Sequence, residues 1–203
     1  MARPQSPDYD KRRDAILAAA ARLYARRGFQ GASVADLAKA CKTSKSLIYH
    51  YFPSKEDILY DVMATHLDDL VAAAEAATRS GTAEEQLRAL TLAFMRLYVG
   101  ARDRHKVLLN ELDNLAAGPR AEVIAKQRRI IAAVEALVRA LRPETGPLAL
   151  PLAMLFFGMI NWTHTWFRAE GRVSAESLAE MAVDLMLGGL LSSPAFAGEG
   201  DRP

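Results

Sequence analysis

Between Arg12 and Met63 the chain reads RRDAILAAAARLYARRGFQGASVADLAKACKTSKSLIYHYFPSKEDILYDVM, and the punctuation of that run constrains the fold more than any other feature. From Arg13 to Arg27, Ile16, Leu17, Ala20, Leu23 and Tyr24 recur at helical spacing, and Gly28 supplies a stop, with Phe29 as an apolar anchor beside it. Ser33 is placed to cap a second helix, with Asp36 three residues on to reach back, and Val34, Leu37 and Ala38 give that helix its buried face. Cys41, Lys42, Thr43 and Ser44 form a turn, and Ser44 caps a third helix over Lys45–Tyr51. Leu47 and Ile48 face inward there, which leaves Lys45, Ser46, Tyr49, His50 and Tyr51 pointing outward or sideways. Pro53 ends that helix, and Ser54 opens the next with Asp57 as its capping acid.

Two short helices across a four-residue turn suit a protein that lays the second helix in the major groove of duplex DNA. The side chains left outside fit that use. Lysine and hydroxyl groups bond phosphates, while tyrosine and histidine offer a flat face with a polar tip. Lys55, in the first turn of the fourth helix, stands where lysine and the helix dipole both favour a phosphate. The same spacing also fits a generic helical hairpin with a solvated basic face.

Charge supports the first reading without deciding it. Residues 1–60 hold 11 Lys+Arg against 6 Asp+Glu, or +5, and residues 61–203 hold 15 against 18, or −3. A basic end on a mildly acidic body points that end at a polyanion. The chain has 203 residues, 51% of them hydrophobic, and lacks hairpin turn signals, so an all-α fold of about nine helices is expected. The first residues, MARPQSPDYDKRR, are polar and do not read as a secretory leader. The longest apolar run, Leu148 to Ile160, is short of the ~18 residues that span a bilayer. A single cysteine rules out an internal disulfide framework and fits a cytoplasmic location.

Six further helices are expected: Lys55–Thr78, Ala83–Gly100, Arg104–Ala117, Arg120–Leu141, Leu148–Ala169 and Ala175–Leu190. Gly118–Pro119 would break the chain between the sixth and seventh. The expected division is a DNA-binding domain over 1–53, a sensing and dimerisation domain over 54–192, and a disordered tail over 193–203. Apolar stripes on the last two helices, Leu152, Leu155, Phe156 and Met159, and Leu178, Met181, Leu185 and Gly189, suit a four-helix interface between two copies. They would equally line a monomer's own core.

The stretch MINWTHTWFR, Met159 to Arg168, is the most unusual of the second half. Trp162 and Trp166 lie four apart, and Asn161, His164 and Arg168 share a neighbouring face. An aromatic wall beside an arginine suits an apolar ligand with an anionic group, though both tryptophans packed in a core would read the same way. Phe94, Tyr98, Leu109, Asn110 and Asp113 are the pocket candidates from other helices. The four histidines, His50, His66, His105 and His164, form no close pair along the sequence, and Cys41 has no partner at metal-ligand spacing. No glycine-rich phosphate loop is present. A helical enzyme or metalloprotein is therefore disfavoured, and no metal or cofactor is expected.

The residues AILAAAARLYARRGFQGASVADLAKAC and TSKSLIYHYFPSKEDIL resemble the DNA-binding domain of the TetR/AcrR family of bacterial repressors. The resemblance implies an all-α homodimer that reads a palindromic operator with three N-terminal helices and senses a ligand in a C-terminal bundle. It places Ser33, Thr43, Lys45, Ser46, Tyr49, His50, Tyr51 and Lys55 at positions that touch DNA. The turn residues Lys42 and Ser44 complete the candidate set. The family usually has glycine where this chain has Lys42, so a left-handed backbone there would strain the lysine and might be exchanged for a phosphate contact. Beside it, Cys41 reads as a small apolar residue, with a redox switch as the alternative. The Asn-Trp pair followed by Trp and Arg on the eighth helix is similar to regulators of fatty-acid, sterol and phenylacetate breakdown, which implies an acyl- or aryl-coenzyme A effector. A regulator of efflux genes sensing lipophilic drugs, and a DNA-binding dimer without a small ligand, remain open beside it.

Overall fold

The capping signals are realised as written. In the computed structural model, which describes residues 7–192, the Ser33 hydroxyl accepts from the Asp36 N–H while the Asp36 carboxylate accepts from the Ser33 N–H. Ser44 accepts from the Leu47 N–H in the same way. These caps satisfy backbone donors that the first turn of a helix leaves unbonded. The helices they open are α2 (Val34–Ala40) and α3 (Lys45–Tyr51). Before them runs α1 (Pro7–Arg27). After them come α4 (Lys55–Ala77), α5 (Ala83–Gly100), α6 (Arg102–Asn110), α7 (Ala117–Leu141), α8 (Ala149–Asn161), the single turn α9 (Thr163–Trp166) and α10 (Ala175–Ser192). The described residues contain only helices and turns, so the chain is all-α.

Four boundaries differ from the sequence reading, each for a local reason. α1 begins six residues before Arg13, with Pro7 as its first helical residue, where proline's fixed φ is already helical. α6 runs Arg102–Asn110 rather than Arg104–Ala117, with a 3₁₀ turn following at Leu112–Asn114. Gly118 and Pro119 do not break the chain but sit in the first turn of α7, where proline's missing N–H would find no helical partner anyway. The expected eighth helix is interrupted: α8 stops at Asn161, Trp162 caps it, and after α9 the backbone is extended at Phe167. The apolar stretch Pro143–Trp166 has the length and hydropathy of a membrane span. It is not one helix, because Gly146 is non-helical at φ 49° and Trp162 ends α8.

The chain divides into two compact units, and not at residue 53. The first combines residues 7–67 with 101–124, and the second 68–100 with 125–192. α4 and α7 thus each contribute to both. The tail expected to be disordered, 193–203, lies outside the described residues.

In the first unit α1 packs on α2 and α6, burying Ile16, Leu17, Ala20 and Tyr24 with Leu37, Ile48, Phe52 and Ile58. The Tyr24 and Phe29 rings meet edge-on at 5.4 Å. The same unit corrects the reading of the histidines. His66 on α4 and His105 on α6, 39 residues apart, are fully buried with Nε2 and Nδ1 3.2 Å from one another. Burial, with the nearby Arg104 charge, holds His66 down to a pKa of about 4.

In the second unit α10 lies along α5. Arg88 bridges them, donating to Glu180 at 3.3 Å and Asp184 at 2.8 Å, and Arg96 donates to Glu176 at 3.1 Å. Phe94 and Phe157 fill the space beneath at a ring separation of 6.2 Å.

Candidate nucleic-acid interface

Helix α3 is seven residues long, too short to stand alone, and is held by what it buries. Ile48 is sealed in the core, Phe52 caps the C-terminus from a buried position, and Leu47 is half-buried. The rotation this fixes sets Lys45, Ser46, Tyr49 and His50 outside, with half of the Tyr49 side chain in solvent. A helix anchored on one side and lined on the other by a cation, a hydroxyl and two polar-tipped rings can enter a groove and meet base edges.

The remaining candidates divide by what they already do. Ser33 and Ser44 spend their hydroxyls on caps but stay exposed at helix N-termini. Thr43 is half-buried in the turn, its N–H donating to the Ala38 carbonyl. Lys42 is exposed and does take a positive φ, 52°, the left-handed conformation that glycine adopts freely. Cys41 is half-buried as the C-cap of α2, and burial raises its thiol pKa, which disfavours the reactive thiolate. Two candidates prove less free than their spacing implies. Lys55 is half-buried, its ammonium donating to the Phe29 carbonyl at 2.6 Å and lying over the Phe29 ring. Tyr51 stacks on Tyr9 at 4.5 Å, a contact hidden from the sequence because α1 was read as beginning after Tyr9.

The effector candidates do not come together. Phe94 and Tyr98 are buried in the second unit, and burial raises the Tyr98 phenol well above its ordinary range. Asn110 and Asp113 belong to the first unit and are exposed, Asn110 donating to the Lys106 carbonyl and Asp113 pairing with Arg120. Trp162 and Trp166 do not line a pocket: they are 64% and 53% exposed. The inward row along this segment is Leu152, Phe156, Ile160, Thr163 and Phe167, which leaves both tryptophans on the opposite side, in register with Leu155 and Gly158. Arg168 is exposed and donates to the Phe167 carbonyl, and the His164 Nδ1 lies 2.7 Å from the Asn161 carbonyl oxygen. The Asn161 Oδ1 is buried without a hydrogen-bond partner among the described residues.

The interface candidates also divide. Leu152 and Phe156 are buried in the second unit's own core, because they point toward α5 and α10 rather than away. Met159 and Leu178 are half-buried. Leu155, 71% exposed, with Met154, Met181, Leu185 and Gly189, forms an apolar outer face on α8 and α10 that the two tryptophans extend.

Two family models cover most of the chain. The one for bacterial regulatory proteins of the tetR family matches residues 16–62, and the one for the tetracyclin repressor-like C-terminal domain matches residues 80–190. Among solved structures, a TetR-family transcriptional regulator from Bordetella parapertussis is 43% identical with a TM-score of 0.84, over 89% of this chain and 96% of that one. AibR in complex with isovaleryl coenzyme A and operator DNA is 27% identical with a TM-score of 0.76, over 86% of this chain and 97% of that one. The transcriptional repressor KstR2 of Mycolicibacterium smegmatis is 27% identical over 94% of this chain and 96% of its own length. With an exposed reading helix on a capped helix-turn-helix and matches over both halves, the chain belongs to the TetR family of DNA-binding transcriptional regulators, which are not enzymes.

Proposed function

We propose that the protein is a cytoplasmic homodimeric repressor, released from a palindromic operator when an acyl-coenzyme A thioester binds its second unit. The observation that carries the DNA-binding part is the exposed row Lys45, Ser46, Tyr49 and His50 on a helix whose other side is sealed. Two such helices must reach successive half-sites about one helical turn apart, which requires two copies at a fixed separation. The apolar outer face of α8 and α10 supports that pairing. Exposed leucine, methionine and tryptophan in one patch mark an association surface.

The effector class rests on AibR, a relative solved with isovaleryl coenzyme A, and on the unsatisfied buried Asn161 Oδ1, which a ligand donor would complete. A ligand that binds the DNA-incompetent arrangement 5–150-fold more tightly supplies ~1–3 kcal/mol of coupling, enough for release. The test is a titration of isovaleryl- and phenylacetyl-coenzyme A against the protein bound to duplex from its own upstream region. Release by either supports the reading, and binding unmoved by both removes the thioester class.

One observation favours a second reading, a dimer without a small ligand. The cavity between α4 and α7 in the second unit, lined by Val71, Ala74, Thr78, Arg129, Ile130 and Ala133 among others, measures about 80 Å³. Small-molecule pockets run to roughly 300–1,000 Å³, so a thioester needs this unit to open. The same titration separates the two readings.

A further inference from the structure

The largest hollow in the first unit is not used by the reading helix. It is an open cleft of about 1020 Å³ between α1 and the α2–α3 turn. Arg12, Ala15, Ala19 and Arg22 succeed one another along α1 at spacings of three, four and three, so they share the face that forms one wall. The two alanines hollow the middle of that wall, and the arginines stand at its ends, ten residues or about 15 Å apart. Lys11 joins Arg12 at one end, and Lys42 faces them from the turn across the cleft. All four cations are exposed, and none forms an ion pair with another described residue. Asp8 is the one carboxylate in the lining. Tyr9 and Tyr51 close the end nearest α3, stacked at 4.5 Å, with His50 edge-on to both rings.

We propose that this cleft seats the sugar–phosphate backbone of the duplex strand that passes beside α3, with Lys11, Arg12, Arg22 and Lys42 on its phosphates. The inference rests on the DNA-binding reading above and adds a second contact surface to it. Three features argue for a backbone rather than bases or a small molecule. The cleft is an open trough, not an enclosed pocket. Its wall is alanine, which has no group to read a base edge, and its polar groups are cations, the usual partners of phosphate oxygens. It is also continuous with the reading helix: Tyr51 and Leu47 of α3 line it, and the Tyr9–Tyr51 stack ties the first turn of α1 to the last turn of α3. A strand held in the trough is thereby fixed relative to Tyr49 and His50. The positive φ of Lys42 acquires a use as well, since it sets a lysine at a corner where glycine would leave the trough without a cation on that side.

The test is fluorescence anisotropy of a labelled mixed-sequence duplex as salt is raised, using the full chain. The triple variant Lys11→Gln/Arg12→Gln/Arg22→Gln removes three cations from exposed helical positions at little cost in helix propensity, and thermal melting verifies that it stays folded. A second triple variant, Arg79→Gln/Arg128→Gln/Arg172→Gln, removes the same charge from exposed positions in the second unit. Each lost phosphate contact lowers the slope of log K against log salt by about 0.9. The cleft variant is expected to lose roughly two to three from the slope and at least tenfold in low-salt affinity, with the control at wild-type values. A cleft variant that binds as wild type does overturns the proposal and leaves the reading helix standing. Equal losses in both variants also overturn it, as an effect of net charge. A wild-type protein indifferent to duplex brings down the DNA-binding reading itself, and this inference with it.

Discussion

The Lys55 ammonium lies 3.9 Å from the centre of the Phe29 ring and donates to the Phe29 carbonyl at 2.6 Å. One side chain thereby joins the first turn of α4 to the corner after α1, at the residue whose ring also meets Tyr24. A half-buried cation–π contact and a charge-assisted hydrogen bond together stabilise by about 1–3 kcal/mol. Lys55→Gln is therefore expected to lower the unfolding free energy by about 1–2 kcal/mol in urea. Its salt slope for duplex binding should fall by less than the ~0.9 of a full phosphate contact. A full drop with unchanged stability would return Lys55 to the phosphate.

Lys42 offers a case in which stability and binding should move apart. Its φ of 52° costs a residue with a Cβ about 1 kcal/mol relative to glycine. Lys42→Gly should raise the denaturation midpoint by up to that amount while weakening duplex binding at low salt, since the cleft loses a cation. A variant that is both less stable and as tightly bound would contradict both assignments.

Tyr49 and Lys45 contribute nothing to the core, so replacing them tests recognition without testing the fold. Tyr49→Ala and Lys45→Ala should melt within about 0.5 kcal/mol of wild type, as surface changes do. Each should lose binding to duplex from the upstream region, by about 1–3 kcal/mol where a base-edge contact goes. Gel-shift affinity unchanged in both would remove α3 as the reading helix.

Much of this helix-turn-helix was legible because its signals are local. Ser33, Asp36, Ser44, Ser54 and Asp57 all act within three residues of themselves, and the caps form as the spacing dictates. What sequence reading missed depended on contacts between distant segments or on which way a helix turns. The His66–His105 pair needs α4 and α6 side by side. The tryptophans share a face, as their spacing of four requires, but spacing cannot say whether that face looks inward. Phe156, Ile160 and Thr163 settle the rotation by taking the inward row, and Trp162 and Trp166 are left outside with Leu155. Tyr9 was missed for a simpler reason: Pro7 was not weighed as a helix start.

The outer apolar face gives the dimer its test. Leu155 and Leu185 are 71% and 69% exposed, so a charge at either is solvated in an isolated chain and buried in a pair. Leu155→Asp and Leu185→Asp should leave the helical signal intact and shift sedimentation toward monomer. Operator affinity should fall with it, because one reading head loses its fixed partner. Variants that sediment as wild type would move the interface elsewhere.

The buried histidines set a pH window. His66 carries its proton with a pKa of about 4 in the folded protein against 6.5 in an unfolded chain, chiefly because burial disfavours the charged ring. Between those values the unfolded state binds more protons than the folded one, so stability rises with pH across the window and is lost as pH falls through it. With His105 at 3.2 Å, a second charge on either ring would also meet repulsion, and Arg104 adds to it. The full loss from above pH ~6.5 to pH ~4 is on the order of 3 kcal/mol. Urea unfolding of the wild type at pH 7 and pH 5 should show a clear part of that drop. His66→Gln keeps a polar group beside His105 but cannot titrate, so its stability, lower at pH 7, should change less between the two values. An equal slope in both proteins would assign the acid sensitivity to other groups.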